Sequence, residues 1–596
     1  MFFLTGNALA CLILLGLFER RTRTVVYWLT RLFDGKTVLI DSSLPANHIS
    51  EFREKVGMDG VGFFEEKPGG GWLMQVLGYS SVPVAGLARR LQAPLSLSES
   101  IVLFGAQPCF FFAKASRAGL PGDWFGEFRQ YVLALDGAIW RRTTQSFVAF
   151  QDHTCVNRLV SLRQAVRVFY KELAQPENQK IYRIVQAMQS RDRALLLDEH
   201  LFDSETNHGL LVCRGLLLYG LDVPPPLRTR LVAKVSRWMR SREDFFISDD
   251  GVVLEISQTY WRLIYMLFRE IEDLFSQLGA PVVFSKLKKT EDFFEKYSID
   301  HRVNRFGDSA LGHDLQLALT PKRPTDGVTC RIFDTGLLVV DFAAGGRVLA
   351  QLVLNSQDIH PWVHGQESQM AMGFFFDDVF WVDSPGRYTS GKKGIKAKID
   401  NFRNQSVPVR RDSGYVSGWR FEQAEKHATE VVLSFTLNRK GRVFLKRDLT
   451  VGQNGGFSVH DAAPDGVVET RFLLPPQAEV NILHEALTVT ASGHQAVFNF
   501  SGQPSFVDGL ISFARNVVQP AKVFCLSDPQ VKFSWVAPHS FSGDLHLEVS
   551  PNYPYRKRLT RPAAHPACWL RLVSVKKLLV AVALAAVLDA SWLMIS

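Results

Sequence analysis

TDGVTCRIFDTGLLVVDFAAGGRVLAQLVLN, residues 325–355, is where the pattern of this chain changes. Upstream, apolar residues recur three and four apart. Here they gather in short blocks, CRIFDTGLLVVDF (330–342) and VLAQLVLN (348–355), rich in Val, Ile, Leu and Phe and parted by one Gly pair. Blocks of this length bounded by turn residues read as strands. The same signature continues downstream in GFFFDDVFWVD (373–383), TEVVLSFTLN (429–438), GRVFLKRDLTV (441–451), ALTVTA (486–491), AVFNFS (496–501), KFSWVA (532–537) and DLHLEVS (544–550), with turn residues such as NGG (454–456) between them. This predicts an antiparallel β-sandwich.

Working back from residue 325, residues 124–300 carry helical periodicity. Leu162, Val166, Phe169 and Leu173 share a face, as do Ile181, Ile184, Val185 and Met188. Further stripes are the apolar run 210–221, stopped by Pro224, Pro225 and Pro226, then Leu231, Val235, Trp238 and Met239, then Leu263, Met266, Leu267, Ile271 and Leu274. Amphipathic helices joined by short turns suit a solenoid or toroid. The fold class is therefore a multidomain α+β chain, an α/α toroid followed by an antiparallel β-sandwich. The expected organisation is a hydrophobic segment at 1–25, a small mixed α/β region at 26–120, the helical domain at 121–320, the β-sandwich at 321–555 and a second hydrophobic segment at 570–596. Within the mixed region TVLI (37–40) and SIVLF (100–104) read as strands, HISEFREKVG (48–57) as a helix and EKPGGGW (66–72) as a loop.

The bulk composition fits folded domains. At 596 residues the chain is too long for one core, and 44 Phe with 46% hydrophobic residues excludes a disordered chain. The net charge of +9 favours polyanionic partners, but the basic residues are scattered and no nucleic-acid motif is present, so no nucleic-acid partner is expected. Seven widely spaced cysteines without a CxxC pair argue against both a disulfide framework and a thiolate zinc site. No cofactor is expected.

Both ends are apolar. FFLTGNALACLILLGLF (2–18) is followed by Arg20, Arg21 and Arg23, and LLVAVALAAVLDASWLMIS (578–596) is preceded by Lys576 and Lys577. One or both would give the chain a membrane as partner. The positive-inside rule places both basic flanks, and with them the body, in the cytoplasm.

Three stretches carry chemistry. SETNHGLL (204–211) opens an apolar helix with Asn207 and His208; Ser204 or Thr206 suits its N-cap, and the helix dipole disfavours charge on the His. Its bland alternative is a capping turn with a structural His. DDGVVLEISQTYW (249–261) breaks at Gly251 and leads through Glu255 into a helix carrying Tyr260 and Arg262. A Tyr there serves as acid or base, or simply packs; the guanidinium of Arg262 suits a carboxylate or sulfate, and Glu255 is a further substrate-binding candidate. HPWVHGQES (360–368) precedes an apolar strand ending in WVDSPGRY (381–388), and its His364 lies between two strands.

Asn-His-Gly, then DG-x-x-x-E-x-S-x-x-Y some fifty residues on, then a His-containing loop before V-D-x-P-G-x-Y, resembles the heparinase II/III-like polysaccharide lyases, which include alginate lyase-like enzymes. The resemblance spans roughly residues 125–550. It implies a helical toroid joined to a β-sandwich, an acidic polysaccharide as substrate and a periplasmic or secreted body. It further implies β-elimination at a uronate, with Asn207 neutralising the carboxylate, His208 or His364 as base, and Tyr260 as base or as the acid that protonates the leaving oxygen. The chain departs from the family in the β-domain. Where the family has His-x-His-x-Asp, this chain has His364, Gln366 and Ser368, and where it has a His-Asn pair, this chain has Asn404-Gln405. Family members with a metal hold zinc there through two histidines and the Asp aligned with Asp383. Gln366 and Asn404 stand in for the histidines, so no tightly bound zinc is expected; an alignment through His360 would restore part of a metal site. These departures, with the hydrophobic ends, support a second reading, a catalytically impaired glycan-binding or assembly protein of cell-surface polysaccharide metabolism. A third reading, a glycoside hydrolase, needs a carboxylate pair such as Glu255 with Asp249 or Asp250.

Overall fold

The structure is a computed structural model. It describes residues 64–66, 72–76, 80–93, 95, 97–140, 148–197, 207–240, 242–255, 258–299, 324–357, 369–384, 406–411, 418–439, 441–514, 517–537 and 543–554. Both terminal hydrophobic segments lie outside these residues, as do the readings at 37–40 and 48–57. Among the described residues, no helix is long and apolar enough to cross a membrane.

A small sheet of β1 (Phe64–Glu66), β2 (Trp72–Val76) and β3 (Ser80–Pro83) precedes the helices. The long helices are α1 (Leu97–Phe104), α2 (Gln107–Arg117), α3 (Trp124–Trp140), α4 (Asp152–Val168), α5 (Gln179–Leu196), α6 (Asn207–Gly220), α7 (Pro225–Met239), α8 (Gln258–Gln277) and α9 (Leu287–Tyr297). SIVLF (100–104), expected as a strand, is the end of α1. A short apolar run fits a strand or a buried helical turn equally well. Here it continues a helix begun at Leu97, and Leu103, Phe104 and Phe112 join the core of the helical domain. Helical structure thus starts well before residue 121.

Three helices run in the same direction side by side. Asp152 meets His208 at the starts of α4 and α6, Val156 meets Gly215 midway, and Arg163 meets Asp222 at the far end, Nη2 to Oδ1 3.0 Å. The α6–α8 pair follows the same rule. Arg214 pairs with Glu270, and a Cβ on Gly220 would sit 3.7 Å from Leu278. α5 and α7 return between them, as in an α/α toroid. The ion pairs are buried, so each arginine is held by fixed acceptors: Arg158 of α4 donates to Asp192 of α5 (2.7 Å), Phe104 O (2.7 Å) and Ala149 O (2.9 Å). The last of these bonds ties down the turn just before Asp152.

The β-region has two sheets. The first runs β19 (Asp544–Val549), β4 (Gly327–Ile332), β5 (Leu337–Ala344), β6 (Arg347–Asn355), β7 (Ala371–Phe376) and β8 (Val379–Val382), antiparallel except for the β19–β4 pair. The second contains β10 (Trp419–Lys426), β11 (Glu430–Arg439), β12 (Arg442–Gly452), β13 (Phe457–Ala462), β18 (Val517–Trp535), β17 (His494–Ala514), β16 (Ala486–Ala491) and β15 (Glu479–Leu483) in that order, with β14 (Val468–Leu473) on β18 and β9 (Pro408–Arg410) on β14. The unbroken apolar run of β5 has a simple cause. Leu337 and Val339 face the helical core, while Leu338, Val340 and Phe342 face the second sheet. A strand covered on both sides has no polar face to alternate. The first sheet is therefore the middle layer, with helices on one side and the second sheet on the other.

The block 330–342 is broken by a turn at 333–336, where Gly336 takes φ +86°. That turn meets the helical domain. Phe333 packs edge-on against Phe293 of α9 at 5.0 Å, and Gln351 donates to Tyr297 O at 3.0 Å. Cys109, Cys155, Cys213, Cys330 and Cys525 are buried and form no disulfide.

Candidate active site

Asn207 and His208 are the first two residues of α6, and Tyr260 and Arg262 lie in the first turns of α8. The two helices are parallel and matched at Arg214 and Glu270. Counting back at about 1.5 Å per residue puts Tyr260 within about 5 Å of the level of Asn207 along the bundle. Both candidates from the helical domain thus sit at one end of it. Asn207 and Tyr260 are buried and His208 is half-exposed, its side chain 43% accessible.

The segment before α8 is a tight hairpin. Ser248 N–H donates to Val252 O at 2.9 Å, and Leu254 N–H to Phe246 O at 2.8 Å. Gly251 turns it at φ +85°, and a Cβ there would lie 2.3 Å from the Lys289 backbone, so only glycine fits. Beyond the hairpin Glu255 is buried with both carboxylate oxygens covered, and its backbone O accepts the Trp261 indole N–H at 2.5 Å. Through this backbone bond Glu255 fixes the start of α8, and its carboxylate is covered at the foot of that helix.

The same hairpin joins the middle sheet. Asp250 N–H donates to Asp334 at 3.1 Å and Asp334 N–H donates to Asp250 at 2.8 Å, a reciprocal pair. Asn552 adds a bond to Asp250. Burial, then the charge of Asp250, pushes the Asp334 carboxyl up to about 6. Asp249 pairs with Lys286 at 2.9 Å. Asp249 and Asp250 are thus engaged in structure, which disfavours the carboxylate pair of a glycoside hydrolase.

His364 and His360 lie outside the described residues, as do Gln366, Ser368 and Asn404. The roots of their β6–β7 connection are described. Asn355 pairs with both Leu337 and Ala371, so the connection leaves the middle sheet beside the turn that carries Asp334. Gln357 donates to Thr335 in that turn at 3.0 Å, and Gln369 donates to Ser356 O at 3.0 Å, closing the base. Asp383 follows β8 at this same end, buried, with its Oδ1 accepting Ser384 N–H at 2.7 Å. One carboxylate aligned with two neutral amides does not fit a zinc ion, and no step is derived through one.

Two residues escaped the sequence reading. Asp152 and His153 open α4 as Asn207 and His208 open α6. The Asp152 Oδ1 is 3.4 Å from His208 Nδ1, and the two imidazoles lie 4.6 Å apart, edge to face. Burial pushes His153 down to about 4; His208 adds to the effect and Asp152 opposes it, so His153 is neutral at pH 7. The signal available was the repeat itself, Asp-His and then Asn-His at the starts of helices.

No protein-family model matches the chain, and no curated protein matches it in sequence. Solved structures do. A heparinase III crystal structure superposes with a TM-score of 0.62 at 14% identity, covering 86% of this chain and 90% of its own. The chain has the heparinase III fold. A second heparinase III, the BT4657 gene product, gives 0.56 at 12% identity, covering 88% and 90%. The heparan sulfate lyase HepC from Pedobacter heparinus gives 0.53 at 14%, covering 88% of each chain. The helical toroid and β-sandwich of the heparinase III fold are thus the architecture of this chain, and its fold is that of a polysaccharide lyase.

Proposed function

We propose that the chain is a polysaccharide lyase that cleaves a uronate-containing acidic polysaccharide by β-elimination. The observation that carries the proposal is convergence. The starts of α6 and α8 share one end of the toroid, and the hairpin leading into α8 is bonded to the β4–β5 turn, at the end of the middle sheet from which the β6–β7 connection leaves. In this reading the Asn207 amide bonds the uronate carboxylate, lowering the cost of the charge that grows as the C5 proton departs. His208 accepts that proton; for the opposite C5 configuration, His364 or Tyr260 does. Tyr260 gives a proton to the leaving glycosidic oxygen. Arg262 contacts a second carboxylate or a sulfate, and Glu255 positions Trp261 and with it the start of α8. A net charge of +9 draws in the polyanion.

The test is incubation of the purified chain with a panel of uronate polysaccharides, followed by the ultraviolet absorbance of the unsaturated end. The expected result is a signal that falls about 100- to 10,000-fold in Tyr260→Phe and about 100- to 1,000-fold in Asn207→Ala. Binding without any signal would replace this proposal with the impaired glycan-binding reading, which the departures at Gln366, Ser368 and Asn404 favour.

A further inference from the structure

We propose that Asp152, His153 and His208 form a three-ligand site for a zinc-class divalent cation at the shared end of α4 and α6, with its remaining coordination position open to solvent. The ligand atoms of the three side chains all lie within 4.8 Å of one another. Two ligands of a tetrahedral zinc at about 2.0–2.1 Å are about 3.3 Å apart. The 3.4 Å between Asp152 Oδ1 and His208 Nδ1 matches that edge and is long for a hydrogen bond. The second observation is independent: His153 Nδ1 is buried and has no hydrogen-bond partner. A covered ring nitrogen left unbonded costs about 1–3 kcal/mol, and a metal bond or the bond that orients a metal-bound ring would remove that cost.

The donor set chooses the ion. Two imidazoles and one carboxylate suit zinc and, next, cobalt or nickel; magnesium and calcium want oxygen donors. Three protein ligands with an open position is the arrangement of catalytic rather than structural zinc. His208 is half-exposed, so the vacant direction reaches water. The frame is rigid. Gly215 brings α6 against Val156 of α4, and Arg158 and Cys155 both hold the carbonyl of Ala149 before the first ligand. Two helix N-termini also meet here, and their partial positive charge opposes a cation and weakens its binding.

One consequence rests on the lyase proposal: an imidazole bound to metal has no lone pair for a proton, so zinc and the base role of His208 exclude each other. Binding itself does not depend on that proposal.

The test uses the full chain stripped with a chelator and titrated with zinc against a chromophoric chelator, then with cobalt followed by its visible bands. One zinc per chain is expected, with affinity weakened at least about tenfold in His153→Gln and in His208→Ala, and visible cobalt bands that vanish in both. His208 sits at the surface, so its variant keeps the test decidable where His153→Gln does not fold, as judged by circular dichroism. Failure to bind zinc, or binding that neither variant weakens, overturns the site. Zinc binding as expected in a chain with no lyase signal would leave the site standing and remove only the inhibitory consequence.

Discussion

Asp250 and Asp334 each give a backbone N–H to the other's carboxylate, and this exchange joins the α8 hairpin to the middle sheet. Burial of the Asp334 carboxyl, and after it the charge of Asp250, keeps its proton on up to about pH 6. Between about pH 4 and pH 6 the folded chain keeps this proton while the unfolded chain has lost it. Stability from this group therefore falls as pH rises through that window and is level above it, by on the order of 3 kcal/mol. Asp334→Asn should stabilise the chain at pH 7.5 and lose that advantage at pH 4, as read from urea midpoints. A difference that does not change with pH would contradict this origin. Legibility at this scale was partial. Asn207, Tyr260 and Arg262 stood out because their motifs are local. Asp152 and His153 did not, because what makes them notable is an approach of two helices about fifty residues apart in sequence.

That approach belongs to α4 and α6. A Cβ on Gly215 would lie 2.0 Å from Val156 Cγ2, so the glycine allows the helices to close. Gly215→Val should push them apart, costing about 1–3 kcal/mol as overpacking does. It should also weaken zinc binding, since Asp152 and His208 sit on opposite sides of the contact; a stable variant with unchanged zinc affinity would show that the helix spacing does not set the cluster. Helices with a regular stripe, such as α5, α7 and α8, were legible from sequence because only one face is covered. α1 was not, because SIVLF is too short to show a period. Among the strands, DD at 377–378 turns β7 into β8 with both residues at positive φ, 53° and 60°, the geometry that two-residue hairpins require. The reading at 373–383 ran through that turn as one strand.

At the scale of the whole molecule, the middle sheet is common property. Its one face completes the helical core and its other face completes the core between the sheets. The change of periodicity near residue 325 foretold two kinds of structure. That the first strands after it would be covered on both sides was legible only as their missing polar face. Sharing a sheet should couple the two halves. Amides of α8 and of β5 are expected to open together in hydrogen exchange at rising denaturant, and Phe333→Ala, which removes the ring against Phe293, should lower both by about 3–5 kcal/mol. Opening of β5 without α8 would contradict a common unit.

The central claim is that this shared frame assembles a β-eliminating site. The direct measurement is the mass of the product formed in heavy-oxygen water. Elimination breaks the glycosidic bond without adding water. The expected product therefore carries an unsaturated end and weighs one water less than a hydrolysis product, and products taken before the new reducing ends exchange with solvent hold no heavy oxygen. A saturated product that gains heavy oxygen at the rate of cleavage would mark a hydrolase and contradict the claim, as would the absence of cleavage on every uronate polymer the chain binds.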